Sequence, residues 1–113
     1  MAPGEVYLAN FPFGGAPGMK LRPVLLLTTP IGPVPEVLVA YISSVMPSPL
    51  LASDLILDPA TSAHASTNLK TVSVLRLHKL ATIHARSVVR RLGRLEVPAW
   101  IEVTSRLKGL LAL

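Results

Sequence analysis

The sequence predicts a mainly β chain with a C-terminal helix, folded as a small, partly open barrel. Three observations predict it. Five short apolar segments alternate or run continuously as strands do, and turns rich in the chain's 11 prolines and 7 glycines separate them. From Pro98 onward the apolar period changes from that of a strand to that of a helix. The length of 113 residues suits one domain, residues 1–113, with a single modest core.

The elements follow in order. "GEVYLANF", Gly4 to Phe11, is the first strand, with Tyr7, Ala9 and Phe11 on one face and Val6, Leu8 and Asn10 on the other. "PFGGAPGMK" has no period and is a loop. Arg22-Pro23 leads into "VLLLTT", a continuous apolar run that fits a buried strand. "PIGPVP" is a turn, because its prolines cannot serve a sheet interior. Glu36 to Val45 is the third strand, "MPSPLLA" breaks it, and "DLILD" is a short fourth strand ending at Pro59. "ATSAHASTN" is a polar loop, and Leu69 to Leu80 returns to strand. "HARSVVRRLG" reads as a helical turn that Gly93 stops. Pro98 then opens a helix to about Leu111, with Trp100, Val103, Leu107, Leu110 and Leu111 in one apolar stripe.

Composition narrows the function. Half the residues are hydrophobic and 15% are charged, which excludes a disordered chain. The richest apolar run, Val24 to Met46, is broken by Pro30, Gly32, Pro33, Pro35 and Glu36. A membrane-spanning helix needs roughly 20 nearly unbroken apolar residues. "MAPGEVYLAN" lacks the basic and apolar regions of a signal peptide, so the expected location is cytoplasmic. The absence of cysteine excludes disulfides and thiolate chemistry. Charge is uneven: two cations face four carboxylates in residues 1–69, and nine face two in residues 70–113. A basic half suits a polyanionic partner, such as nucleic acid or an acidic peptide.

Few residues could carry chemistry. Arg22 enters a buried strand between Leu21 and Pro23, so its guanidinium must either pair with a carboxylate or face a cleft that receives an anion. Ser43 and Ser44 end "VLVAYISS", where hydroxyls either serve a site or form a turn. In "LKTVSVLRLHKLATI", Arg76 and His78 share one face and Leu75 and Leu77 the other. The polar pair is either a solvated edge or a working one. An imidazole exchanges protons near neutral pH, and a neighbouring cation disfavours a second positive charge and keeps it available as a base. His64, His78 and His84 lack zinc-ligand spacing, so neither metal nor cofactor is expected. Five aromatic residues are too few for a broad base-stacking platform.

Taken in order, "GEVYLANFPF", "MKLRPVLLLT", "VLVAYISS", "LKTVSVLRLHKLATI" and "RRLGRLEVPAWIEVTSRLKGLLAL" resemble the MazF/PemK family of toxin–antitoxin ribonucleases over essentially the whole chain. The resemblance implies an SH3-like barrel, a homodimer, and metal-independent cleavage of single-stranded RNA to 2′,3′-cyclic phosphate and 5′-hydroxyl ends. It also implies an acidic antitoxin partner. Arg22 matches the family's catalytic Arg-Pro arginine, and Ser43 falls at its catalytic Thr/Ser position. Arg76 matches an arginine implicated in catalysis in some members, and His78 falls where many carry Asp or Glu. Lys20, Ser44, Lys79 and Arg86 are the expected RNA contacts, with loops Gly14 to Lys20 and Met46 to Ser53 touching the substrate. The same barrel also occurs in toxins that poison DNA gyrase without cutting RNA, and in copies that only bind antitoxin, so a binding role is the alternative.

Overall fold

In the computed structural model, whose described residues are 1–11 and 20–113, six antiparallel strands and one helix form the fold. They are β1 (Glu5–Phe11), β2 (Lys20–Leu26), β3 (Glu36–Ser43), β4 (Asp54–Leu57), β5 (Ser73–His84), β6 (Val88–Arg94) and α1 (Val97–Leu111). They pair in the order β4-β5-β3-β2-β1-β6, so the first strand of the chain lies against the last and the sheet is not closed.

Both faces of this curled sheet are apolar. On one, Val6, Leu25, Ile42, Leu75 and Leu77 pack with Ala99 and Val103 of α1. On the other, Ala9, Val24, Leu26, Val37, Val39, Ile83 and Val88 form a second core. Neighbouring residues of β2 and β3 therefore serve different cores, which is why these strands read as continuous apolar runs. Pro23 lies within β2, an interior strand. It is tolerated because the ladder to β3 begins only at Val24, so no β3 carbonyl waits for its missing N–H.

Several expected boundaries move. β3 ends at Ser43 rather than Val45, because the Ser43 hydroxyl accepts the Val45 N–H at 3.1 Å and turns the chain. β5 starts at Ser73 and runs on to His84. The segment read as a helical turn is instead a short 3₁₀ turn, Ala85–Ser87, followed by the sixth strand. Gly93 does not stop a helix. It lies inside β6, where a Cβ would come within 2.1 Å of the Ser66 carbonyl oxygen. The loop bearing Ser66 covers that end of β6: Ser66 Oγ donates to Arg94 O at 2.8 Å and Asn68 Nδ2 to Leu92 O at 2.7 Å. The helix stripe packs only in part. Trp100, Val103 and Leu107 reach the core, while Leu110 and Leu111 are exposed. The side-chain face expected for Phe11 and the loop Gly14 to Met19 lie outside the described residues.

One ion pair ties the first strand of the chain to the last, its neighbour in the sheet. Arg91 Nε on β6 donates to Glu5 Oε2 on β1 at 2.6 Å. Burial works against the Glu5 charge, but this bond, the Ala2 N–H and the nearby N-terminal ammonium outweigh it and hold the carboxyl below its usual 4.5. A lowered carboxylate value adds stability above the unfolded-state value, and that stability is lost as pH falls through the folded one. Glu5→Gln should therefore melt below the wild type at neutral pH, with the gap closing as acid protonates the Glu5 carboxylate. Melting curves across that range check this.

Candidate functional site

Strand register gathers the expected polar residues on one face. Tyr41 of β3 stands opposite Val24 of β2 and Arg76 of β5, and Arg76 stands opposite Asp54 of β4. Ser43 stands opposite Val74, which makes Ser43 and Arg76 diagonal neighbours on that face, about 7 Å apart at the backbone. The face thus carries Ser43, Arg76 and Asp54 across three strands, and the β2–β3 pairing ends at Val24↔Tyr41, two residues short of Arg22 and Ser43.

A bulge sets the position of His78. Ala40 pairs with Leu80 but Tyr41 pairs with Arg76, which leaves Leu77, His78 and Lys79 without opposite numbers on β3. Bulges re-aim side chains and recur beside active sites. Here the bulge keeps Leu77 fully buried, as Leu75 is, and turns His78 toward solvent. Lys79 Nζ lies 5.6 Å from the centre of the Tyr41 ring.

Asp54 anchors this region. Its side chain is fully buried. It accepts Arg76 Nε at 3.1 Å, Arg76 Nη2 at 3.4 Å and the Leu51 N–H at 2.8 Å, and His78 Nδ1 lies 4.0 Å away. A buried carboxylate needs such donors. Arg76 is consequently fixed, and one edge of His78 faces a negative charge. From the far side, Arg106 of α1 donates to the carbonyls of Ala52 at 2.8 Å and Asp54 at 2.9 Å, so the helix steadies the start of β4. The sequence reading missed Asp54. It opens an apolar strand with no partner nearby in sequence, and Arg76 lies 22 residues on. A lone acid at the head of a buried strand was the signal available.

Arg22 lacks the carboxylate partner that one reading of the sequence required. None of the ion pairs includes it, its Nε is buried without a hydrogen-bond partner, and residues 12–19 contain no Asp or Glu. Arg22 instead borders a cavity of about 380 Å³ that Ser44 also lines. The structure does not gather every expected residue. Lys20 is exposed two positions before Arg22. Arg86 lies beyond the β5 end that pairs with Glu36, so it stands on the order of 20 Å along β3 from Ser43. His64 and His84 each accept a backbone N–H at 3.2 Å, from Asp58 and Arg86 respectively, and serve local turns. Among the described residues no three His, Asp or Glu side chains gather as metal ligands would, and no helix is long and apolar enough to cross a membrane.

Comparison with known proteins places this geometry. No curated protein matches the chain. Among solved structures, the Mycobacterium tuberculosis toxin MazF-mt6 is 22% identical over 96% of this chain and 97% of its own, with a TM-score of 0.74. A mycobacterial endoribonuclease in complex with its cognate antitoxin is 13% identical over 100% of this chain and 96% of its own, with a TM-score of 0.73. MazF from Deinococcus radiodurans is 16% identical over 100% of this chain and 97% of its own, with a TM-score of 0.68. These likenesses show a shared fold. The family model for PemK-like, MazF-like toxins matches residues 2–111, and the chain therefore belongs to that family of type II toxin–antitoxin toxins.

Proposed function

We propose that this chain is an endoribonuclease that cuts single-stranded RNA without a metal and is neutralised by a cognate antitoxin. Family membership gives the general activity. The observation that carries the finer reading is a serine and a fixed arginine on one sheet face, beside a re-aimed histidine, together with an arginine that has no carboxylate partner.

RNA brings its own nucleophile, so the protein has three tasks: to remove the 2′ proton, to stabilise charge on phosphorus, and to hold the chain in line. His78 accepts the 2′-OH proton. The 2′ oxygen bonds to phosphorus, the bond from phosphorus to the 5′ oxygen breaks, and that oxygen takes its proton from solvent. The products are a 2′,3′-cyclic phosphate and a 5′-hydroxyl. Arg22 meets the charge that builds on the phosphorane, and Ser43 donates a hydrogen bond to a phosphate oxygen. Arg76 already has two of its N–H groups on Asp54, so it holds the His78 side of the site in place and adds positive charge there. DNA lacks the 2′-OH and is not cut.

The basic C-terminal half suits an acidic antitoxin that folds across a homodimer and blocks RNA entry. Mapping both ends of fragments cut from a long, weakly structured RNA in EDTA tests the activity. Sharp cuts with cyclic phosphate ends are expected. An intact RNA that contains every short sequence would move the chain to a binding role. His78→Ala should slow cleavage by about 10²-fold or more. A rate near that of the wild type would remove His78 from the mechanism.

A further inference from the structure

The buried Asp54 carboxylate has room for one more donor than its partners supply. An ionised carboxylate offers two oxygens and about four lone-pair directions. Oδ2 accepts the Leu51 N–H at 2.8 Å and Arg76 Nη2 at 3.4 Å. Oδ1 accepts Arg76 Nε at 3.1 Å and no other hydrogen bond among the described residues. The side chain is fully buried, so bulk water does not reach the remaining direction. His78 Nδ1 stands 4.0 Å from Oδ1. That is longer than a hydrogen bond, and the imidazole is the partner able to close the gap. Asp54 is held by Arg76 and Leu51, and its backbone carbonyl by Arg106. The His78 side chain is 32% exposed and lies in the part of β5 that has no opposite numbers on β3.

We infer that Asp54 is a positioning residue: it fixes the proton of neutral His78 on Nδ1 and leaves Nε2, the nitrogen away from Asp54, as the base. This rests on the ribonuclease reading and adds the group that decides which nitrogen works. A neutral imidazole has one N–H and one lone pair, and their places are set by what each nitrogen faces. A lone pair on Nδ1 would point at a buried negative charge and be repelled by it. Nε2 would then carry the N–H and could not take a proton from RNA. With the proton on Nδ1, the ring offers the carboxylate a donor and the substrate a lone pair. The 2′-OH proton passes to Nε2, and the imidazolium so formed keeps its Nδ1–H toward Asp54. Asp54 itself takes no proton.

The chain carries its own controls. His64 and His84 each accept a backbone N–H on Nδ1 at 3.2 Å, so their protons lie on Nε2. Long-range proton–nitrogen correlation spectra of isotope-labelled protein, taken well above the ordinary imidazole pKa, read the tautomer of each histidine directly. His78, identified by the signal lost in His78→Gln, should be the odd one, with its proton on Nδ1. A wild-type spectrum that places the His78 proton on Nε2, or shares it between the two nitrogens, overturns the proposal, and this arm needs no change at Asp54. Asp54→Asn removes the charge and keeps the shape. It should move the His78 proton to Nε2 and lower kcat by about 10²-fold or more, with KM changed by less than about threefold. The His64 and His84 signals should stay in place, which separates lost orientation from lost fold. An Asp54→Asn protein with the wild-type kcat, or with the His78 proton still on Nδ1, also overturns the proposal. Wild-type protein that shows the expected tautomer yet leaves RNA uncut would sink the ribonuclease reading and keep the Asp54–His78 arrangement.

Discussion

Arg22→Ala should lose at least about 10²- to 10³-fold in the rate of RNA cleavage, the usual cost of removing a donor aimed at transition-state charge. The same change should leave thermal stability nearly untouched. Its Nε is buried without a partner and it pairs with no carboxylate, so the folded state gains little from the guanidinium. An unmade buried donor costs about 1–3 kcal/mol. Arg22→Met, which keeps the apolar stem and drops the charge, should accordingly melt at or above the wild-type temperature while being equally inactive. A group that is costly to stability and needed for turnover is the pattern of a functional site. Cleavage kinetics and melting curves on the two variants check both halves. A variant that cuts near the wild-type rate would remove Arg22 from the chemistry. One that melts far lower would return it to a structural role. Antitoxin capture should survive in both.

Gly93→Ala carries the largest expected effect on stability. The added Cβ would stand 2.1 Å from the Ser66 carbonyl oxygen and 2.8 Å from the Thr67 carbonyl carbon and oxygen. All three atoms are backbone, so no rotamer can relieve the clash. The loop must move off β6 and break the Ser66 and Asn68 hydrogen bonds to the carbonyls of Arg94 and Leu92. Overpacking alone costs about 1–3 kcal/mol, and the lost hydrogen bonds put this case at or above the top of that range. The melting temperature should fall by on the order of 10 °C or more. A fall of a degree or two would mean that the loop yields freely.

Much of this was legible because burial imposes period. Leu75 and Leu77 against Arg76 and His78 could be assigned from alternation alone, and the helix from its Trp100–Val103–Leu107 stripe. β6 was not legible. It is an edge strand whose Val89, Arg90 and Arg91 all face solvent, so "VVRR" shows no alternation, and Gly93 imitates a helix stop while meeting a packing demand. The site was half legible. Arg22 and the Arg76–His78 pair stand out as polar groups in apolar strands. Asp54 does not, because its partner Arg76 comes from a strand paired with it across a long stretch of chain, and only the register reveals the pair.

The pairing of β1 with β6 also governs when this protein can become itself during synthesis. The Glu5–Arg91 bond joins residues 86 positions apart, and the barrel's hollow is lined by residues from Leu8 to Leu92. A nascent chain emerges from its N-terminus, and contacts so distant in sequence form last. Until the final strand has left the ribosome, β1 has an open edge and the cavity lacks the wall that Arg90 and Leu92 supply. The cavity that Arg22 borders is thus complete only once nearly the whole chain has been made.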